Sequence, residues 1–389
     1  MVFTLGSFVL VTVAVAFVSW LKTKGTDETS KDGYFLGGRS LSGLVIFGSL
    51  MMTNLSAEQL VGRNGQGYAA GMTAMGWETM CPIALTLMAL FFIPKYFKLG
   101  ISTIPEFLES RFDRATRVIV SFIFLVAYIV TMLPLVLYAG SVAMERIFGI
   151  TALMGGNRFM ATTVMCVALG IIGGIYAIFG GLKAIALSDS INGLGLIVGG
   201  LLVPVFGFMF LSGQLGGDGS FMDGFDKFLH TNPSYLNAIN EVNTPEPWLP
   251  WPLLFTGLLV NNMYYWATNQ SIIQRTLAAK NLAQAQRGAV FTAFLKLLDP
   301  FFITICGLLA YRFFGDGLAN SDLAYPSLIT TVVSNWLLGI IAAVLFGAIL
   351  SSFNSALNSC VTLYTLDFHR PLFNQTASDA HLVSVGKRV

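Results

Sequence analysis

Two runs of polar residues interrupt apolar stretches that are otherwise long enough to cross a membrane. Residues 53–59 (TNLSAEQ) lie within the apolar stretch 43–62, and residues 261–270 (NNMYYWATNQ) lie within the stretch 251–273. Polar side chains are costly inside hydrocarbon, so such runs indicate a functional site. A helix that breaks there frees backbone groups that can coordinate an ion or a solute. The alternative is that these Asn, Ser and Gln side chains only hydrogen-bond neighbouring helices.

Isolated charges occur inside three other apolar stretches. Glu78 lies near one end of its stretch, and Lys296 precedes Asp299 by three residues, which is one helical turn. A lysine at mid-membrane costs about 2.5–3.5 kcal/mol, so Lys296 either binds a solute or pairs with Asp299 for packing. Asp189 begins another stretch, where a carboxylate would serve as a helix cap or as a station for an ion.

Adjacent hydroxyls at Ser351 and Ser352 interrupt the last apolar stretch, which contains GAILSSFNSALNS. On a helix these two side chains point about 100° apart. With carbonyls from a broken neighbouring helix they would form an oxygen cage suited to sodium. The alternative is that small residues at this point let two helices pack closely.

The composition places these residues in an integral membrane protein. The chain has 389 residues, of which 55% are hydrophobic and 11% charged. Soluble proteins carry about 25% charged residues, so the class of soluble globular proteins is excluded. A membrane helix needs about 20 apolar residues. We predict one all-α membrane domain of about nine spans, near 3–21, 43–62, 76–94, 118–145, 160–179, 187–212, 251–273, 289–313 and 334–366.

The position of the two interrupted spans points to a transporter. The first helix, 3–21, has no basic residue ahead of it, so we take it as a peripheral membrane helix and not as a signal peptide. The interrupted spans are then the first and sixth of the core helices within 43–366. Interrupted helices in corresponding positions of two inverted halves are typical of transporter binding sites.

The distribution of basic residues predicts the orientation. With nine spans, sixteen of the 22 Lys and Arg residues fall on one side and five on the other. Basic loops face the cytoplasm, so we predict a multi-pass protein of the cell membrane with its N-terminus outside. The acidic loop 213–249 is then also outside. The end of the chain, HLVSVGKRV, resembles the approach to another helix, so we expect the C-terminus to be incomplete.

Several other classes of function lack support in the sequence. Each of the four cysteines stands alone in an apolar run, so we interpret all four as packing residues. No metalloprotease, hydrolase or P-loop motif is present, which argues against an enzyme. A channel would show a charged ring or a filter loop. A membrane sensor that does not transport remains an alternative, and nothing suggests a nucleic-acid partner.

Many ordered motifs from residue 33 onward resemble the sodium:solute symporter family, which includes the sodium/glucose cotransporters. The bacterial sodium/galactose symporters look most similar. The motifs are GYFLGGRSL, TNLSAEQLVGRNGQGY, ISTIPEFLESRF, YAIFGGLKAIALSDSING, NNMYYWATNQSIIQRTLAAKNLAQAQRG and AFLKL. The resemblance implies a LeuT-type bundle with an inverted five-helix repeat, whose last core helices would be missing here.

The resemblance also assigns roles to individual residues. The positions that match the sugar-binding residues of the galactose symporter are Gln59, Glu78, Asn262 and Lys296. Tyr265 matches the aromatic inner gate. The sodium ligands fall on the carbonyls of Met52, Leu55 and Ala348 and on the hydroxyls of Ser351 and Ser352. Asp189 matches a residue on the path by which sodium leaves.

Two positions near the implied gate depart from the galactose symporter. Arg63 replaces an apolar residue of the outer gate, and Trp77 replaces a tyrosine. We expect both to influence which solute is accepted. The sequence therefore predicts sodium-coupled symport of a small polar solute, with a monosaccharide such as galactose or glucose favoured over an organic anion or an amino acid.

Overall fold

The computed structural model describes residues 2–23, 30–240 and 248–389, and this part of the chain is helical without strands. Within the described residues, the first half of the helical bundle is built mainly from nine helices. They are α1 (Val2–Thr23), α2 (Lys31–Leu36), α3 (Gly43–Asn54), α4 (57–70), α5 (76–99), α6 (Ile104–Glu109), α7 (Arg114–Phe148), α8 (Arg158–Ala177) and α9 (Leu182–Gln214).

The second half continues from the loop that follows α9. Its helices are α10 (Phe221–His230), α11 (252–268), α12 (Gln270–Leu277), α13 (Leu282–Lys296), α14 (Asp299–Phe314), α15 (Ala324–Val332), α16 (Asn335–Phe373) and α17 (Asp379–Arg388). Residues 213–240 lie at one end of the bundle, which we call the loop face. Lys98, Arg111 and Lys280 mark the opposite end, which we call the basic face.

Both predicted interruptions are real helix breaks. Helix α3 ends at Asn54, Leu55 and Ser56 are not helical, and α4 begins at residue 57. Helix α11 ends at Thr268, Asn269 has extended backbone angles, and α12 begins at Gln270. A helix leaves its last four carbonyls and its first four amides without partners inside the helix. At the second break, side chains satisfy some of these groups: the Tyr96 hydroxyl donates to the carbonyl of Ala267, and the amide of Ser271 donates to the Tyr128 hydroxyl.

The breaks also explain why fewer long spans exist than the nine that we predicted. Among the described residues, six helices are long and apolar enough to cross a membrane, or seven if α13 and α14, bent by 55°, count as one. The predicted span 43–62 is divided between α3 and α4, and α4 continues to Ala70 despite its polar residues. The predicted span 251–273 is likewise divided between α11 and α12.

Two further segments differ from the sequence-based expectation. We predicted residues 213–249 as a loop, yet α10 forms within it; residues 241–247 lie outside the described part. Helix α15 was missed, although Ala324, Leu328 and Ile329 have no exposed surface. Its nine residues are too few for a span, so apolar length alone gave no signal for it.

A glycine allows α14 and α4 to pack closely near the loop face. A Cβ atom at Gly307 of α14 would lie 2.2 Å from the backbone oxygen of Asn64 in α4.

Helix α1 lies at the periphery, where the Thr4 hydroxyl donates to the carbonyl of Asn335 at 2.9 Å. At the basic face, the backbone amide of Leu41 donates to the carbonyl of Ala278. This hydrogen bond joins the segment before α3 to the end of α12.

We predict that Gly307→Ala destabilises the protein, because the added methyl group has no space between the backbones of α4 and α14. Overpacking of this kind costs about 1–3 kcal/mol. The measurement is thermal unfolding of the purified protein in detergent. Gly174→Ala is the matched control, since a Cβ atom there meets nothing within 4 Å. Equal melting temperatures for the two variants would contradict the close packing.

Candidate functional site

Four charged side chains from three parts of the bundle form one buried group, which we call the ionic cluster: Arg63, Glu78, Lys296 and Asp299. The Lys296 ammonium is 1% exposed and donates to the Glu78 carboxylate at 2.9 Å and to the Asp299 carboxylate. Lys296 ends α13, and Asp299 begins α14 after the bend. The pairing with Asp299 that we considered is therefore formed, but Lys296 also reaches Glu78 across the bundle.

Arg63 extends the ionic cluster toward the loop face. Its guanidinium donates to the amide oxygens of Gln59 at 3.0 Å and Gln66 at 2.8 Å, and it lies 3.7 Å from Glu78. It also stacks over the Trp77 ring at 4.7 Å, a cation–π contact. A widened π-type turn over Gln59–Arg63 forms this part of α4. Such turns recur at functional sites, because they redirect side chains out of the regular helical pattern.

Asn262 joins the same site through Cys81. The Cys81 thiol lies 2.8 Å from the Asn262 side-chain oxygen and 3.1 Å from the Glu78 carboxylate. The Asn262 amide donates to the carbonyl of Leu258 at 3.0 Å. The structure therefore brings together all four residues that the resemblance implies for solute binding. Cys81 is buried in the apolar core, as we expect of a packing residue, and its thiol in addition contacts the polar site.

An open cavity of about 360 Å³ leads from the loop face to this site. Its lining includes Glu58, Gln59, Arg63, Trp77 and Asp322. The stacked pair of Arg63 and Trp77 thus lines the cavity, and Arg63 links it to Glu78 at 3.7 Å. This is the position that an outer gate requires.

Tyr265, the predicted inner gate, lies on α11 close to the break between α3 and α4. Its hydroxyl is near Asn54 and Glu58. Its ring meets the ring of Trp266 edge-on at 5.2 Å, and Trp266 in turn lies 6.0 Å from the Lys296 ammonium. The aromatic pair therefore separates the break in α3–α4 from the ionic cluster.

The predicted sodium ligands are buried where α3 packs against α16. Met52 is one of the last four residues of α3, so its carbonyl has no partner inside the helix, and Leu55 lies in the break itself. The hydroxyl oxygens of Ser351 and Ser352 are buried without a hydrogen-bond partner at normal distance among the described residues, and Ser351 faces the Asp189 carboxylate. Buried polar atoms normally have partners. This oxygen-rich position therefore suits a hard cation such as sodium.

Below the predicted sodium ligands lies a second buried group, which we call the Arg275 network. Arg275 is 1% exposed and donates to the hydroxyls of Ser49 at 2.7 Å and of Ser355, and to Asp189 at 3.4 Å. Ser49 also donates to Asp189 at 2.7 Å. The network joins α3, α9, α12 and α16 on the basic side of the breaks, where an inner barrier would be needed.

The Arg275 network corrects two of our interpretations. Arg275 is one of the sixteen Lys and Arg residues that we assigned to the cytoplasmic side, but α12 carries it into the interior of the bundle. Asp189 does not cap a helix, because it lies in the interior of helical residues that run on both sides of it. Asp189 instead lines a cavity of about 170 Å³ together with Ser351. This contact supports the alternative that Asp189 serves as a station for an ion.

Comparison with known proteins identifies relatives of the chain. A sequence model of the sodium:solute symporter family matches residues 34–389. "Uncharacterized symporter YidK" of Escherichia coli is 46% identical over 98% of this chain and 65% of its own length. The sodium/glucose cotransporter of Vibrio parahaemolyticus is 35% identical over 94% of this chain and 67% of its own length. The human sodium/myo-inositol cotransporter is 29% identical, with 55% of its length covered.

A solved structure of a Na⁺-coupled sialic acid symporter, in a substrate-bound outward-open state, has the same fold. Its TM-score is 0.81 at 23% identity, over 99% of this chain and 77% of that one. The likeness confirms the predicted LeuT-type fold. The chain spans about 55–67% of the length of the curated relatives named above.

We predict that Lys296→Met destabilises the protein by about 3–5 kcal/mol, because it leaves Glu78 and Asp299 buried without their shared cation. The double variant Lys296→Met/Asp299→Asn should recover part of this loss, because Arg63 can still neutralise Glu78. The measurement is thermal unfolding in detergent, with Lys98→Met on the surface of α5 as control. A double variant that is less stable than the single one would contradict the proposed charge balance.

Proposed function

The chain belongs to the sodium:solute symporter family, and from this premise we propose that it couples the entry of a small polar solute to the entry of sodium. The family consists of transporters and not of enzymes. The observation that carries the proposal is the convergence of four binding residues beside two broken helices. Gln59 and Asn262 supply amides, and Glu78 and Lys296 supply charges, within one connected group.

A monosaccharide or a related polyol is the solute that we propose. Each sugar hydroxyl both donates and accepts hydrogen bonds. Side-chain amides can donate to it and accept from it, and carboxylates can accept from it. The ring of Trp77 or Tyr265 would cover the apolar face of a pyranose. Relatives named as glucose and myo-inositol cotransporters support this choice. A site built for hydrogen bonds rejects analogues that lack the hydroxyls, because its own polar groups would stay unpaired.

An organic anion is a second candidate, favoured by the guanidinium of Arg63 at the inner end of the cavity. The charge balance argues against it. The ionic cluster is neutral as a whole, and the cavity adds the carboxylates of Glu58 and Asp322. An incoming anion would therefore meet more negative than positive side chains. For this reason we rank a neutral polyol above an anionic solute.

We propose that transport proceeds by alternating access, with the loop face outside the cell and the N-terminus on that side. Sodium would bind between α3 and α16 through Met52, Leu55, Ala348, Ser351 and Ser352. Its charge would stabilise the broken backbone beside the solute site. The outer side would then close at Arg63 and Trp77.

Release to the cytoplasm would require movement of Tyr265 and opening of the Arg275 network. Sodium would leave past Asp189, which already shares a cavity with Ser351. The bacterial inner membrane is the location that we propose, since YidK and the Vibrio relative are bacterial.

The sodium gradient is strong enough to drive this process. A tenfold gradient contributes about 1.4 kcal/mol. A membrane potential of about 100 mV adds about 2.3 kcal/mol for each charge. One sodium ion per solute would therefore support accumulation of a few hundredfold.

The test is uptake of labelled glucose, galactose and glucuronate into proteoliposomes, with and without an inward sodium gradient. We expect sodium-dependent uptake of a neutral sugar, and we expect Gln59→Ala and Asn262→Ala each to reduce it by about tenfold or more, because buried polar groups lose their partners. Thr79→Ala is the control, since Thr79 is exposed beside Glu78 and its hydroxyl donates only to the nearby carbonyl of Met75. If only glucuronate is taken up, the proposal of a neutral sugar is wrong and the solute is an organic anion.

The same assay tests the sodium ligands separately. The double variant Ser351→Ala/Ser352→Ala should lose stimulation by sodium, because it removes two of the proposed oxygen ligands. Ser359→Ala is the matched control on α16, since its hydroxyl has protein partners at Gln274 and Ser355. Full sodium stimulation in the double variant would refute the sodium site while leaving the solute site intact.

A further inference from the structure

A second polar cavity, of about 240 Å³, lies at the basic face, far from the solute site. We call it the basic pocket. It is lined by cationic and acidic side chains from α2, α6, α7 and α16, which are Lys31, Glu106, Glu109, Arg114, Arg117 and Arg370. None of these residues takes part in the proposed transport. The basic pocket is therefore distinct from the proposed solute and sodium sites.

The acidic side chains of the basic pocket already have partners. Arg117 lies 2.6 Å from Glu109 and 2.6 Å from the buried carboxylate of Asp367. Glu106 accepts the backbone amide of Ser102 at 2.7 Å. These contacts hold α6, α7 and α16 together, so Arg117 is a structural cation and is not available to a ligand.

The remaining cations of the basic pocket are available to a ligand. Arg114 donates to the carbonyl of Pro371, which carries no charge. The Lys31 ammonium and the Arg370 guanidinium have no ion pair or side-chain hydrogen bond within the described part of the chain. Lys31 and Arg370 therefore supply two side-chain cations to the pocket, while the Asp379 carboxylate accepts the backbone amide of Lys31 at 3.2 Å.

The surroundings of the basic pocket are those of a membrane surface. Helix α7 begins at Arg114 and α16 ends at Phe373, so the pocket lies where two spanning helices reach the end of the bundle. Large apolar side chains next to it are exposed: Phe112 by 72%, Leu372 by 49% and Phe373 by 72%. Phe and Leu side chains of helices at a membrane surface bury themselves at the boundary between headgroups and acyl chains. Basic pockets between spanning helices bind anionic headgroups.

We propose that the basic pocket binds the phosphate of an anionic phospholipid headgroup. Lys31 and Arg370 contact the phosphate, Arg114 completes the site, and the exposed apolar side chains contact the acyl chains. The lipid would bridge α2, α7 and α16. Because α16 also carries Ser351 and Ser352, the lipid stabilises the helix on which the proposed sodium site depends. The inference rests on the basic pocket alone and does not need the proposed substrate to be correct.

The experiment measures thermal unfolding of the delipidated protein in detergent while lipids are added. The probes are phosphatidylglycerol, phosphatidylcholine and inorganic phosphate. We expect phosphatidylglycerol to raise the melting temperature, and the other two probes to have little effect. The double variant Lys31→Gln/Arg370→Gln should bind phosphatidylglycerol about tenfold more weakly, since each cation near the surface adds to the attraction.

Arg111→Gln is the matched control, because Arg111 lies on the same face over the ring of Phe107 and outside the pocket. It should keep the response of the wild type. Equal stabilisation by phosphatidylcholine, or equal losses in the control and the double variant, would overturn the proposal. Stabilisation by inorganic phosphate alone would show a site for a soluble anion and would also overturn it. Arg117 is left unchanged, because its loss would disturb the fold.

Discussion

A lysine ammonium buried inside a membrane protein requires negative partners, and much of the site follows from this constraint. Lys296 is 1% exposed and contacts both Glu78 and Asp299. Leaving a charge unpaired in such surroundings costs several kcal/mol. The contact with Glu78 therefore holds α13 against α5, and the contact with Asp299 fixes the bend between α13 and α14. Arg63 then balances the second carboxylate and brings α4 into the same group.

The helix breaks expose backbone carbonyls and amides, which can bind a ligand in addition to the polar side chains. Leu55 and Ser56 interrupt one helix and Asn269 the other, so backbone groups become available in the middle of the bundle. The stacked pair of Arg63 and Trp77 lies on the loop side of the proposed solute site, and the Arg275 network lies on its basic side. A site between two polar barriers is the arrangement that alternating access requires. A movement at either barrier would open the site to one face only.

The two breaks could be predicted from the sequence, because several consecutive polar residues are costly within an apolar stretch that crosses hydrocarbon. The pairing of Lys296 with Asp299 could also be predicted, because helical spacing determines that contact. The partnership of Lys296 with Glu78 joins residues 218 positions apart, and no local pattern reveals it.

The sequence did not reveal features whose burial depends on residues far away along the chain. Arg275 was misplaced because its burial depends on Ser49, Asp189 and Ser355, which come from three other helices. Helix α15 was missed because packing against its neighbours buries it, whereas its nine residues are too few to suggest a span.

Sodium bound at the break in α3–α4 and solute bound beside the ionic cluster should stabilise each other, and the proposed mechanism depends on this coupling. Isothermal titration calorimetry of the purified protein can measure solute affinity with sodium and with potassium, and sodium affinity with and without solute. Coupling between two binding sites is reciprocal, so we predict that each ligand raises the affinity of the other by the same factor, typically about 5–150-fold. A solute affinity that is identical in sodium and in potassium would contradict the proposed coupling.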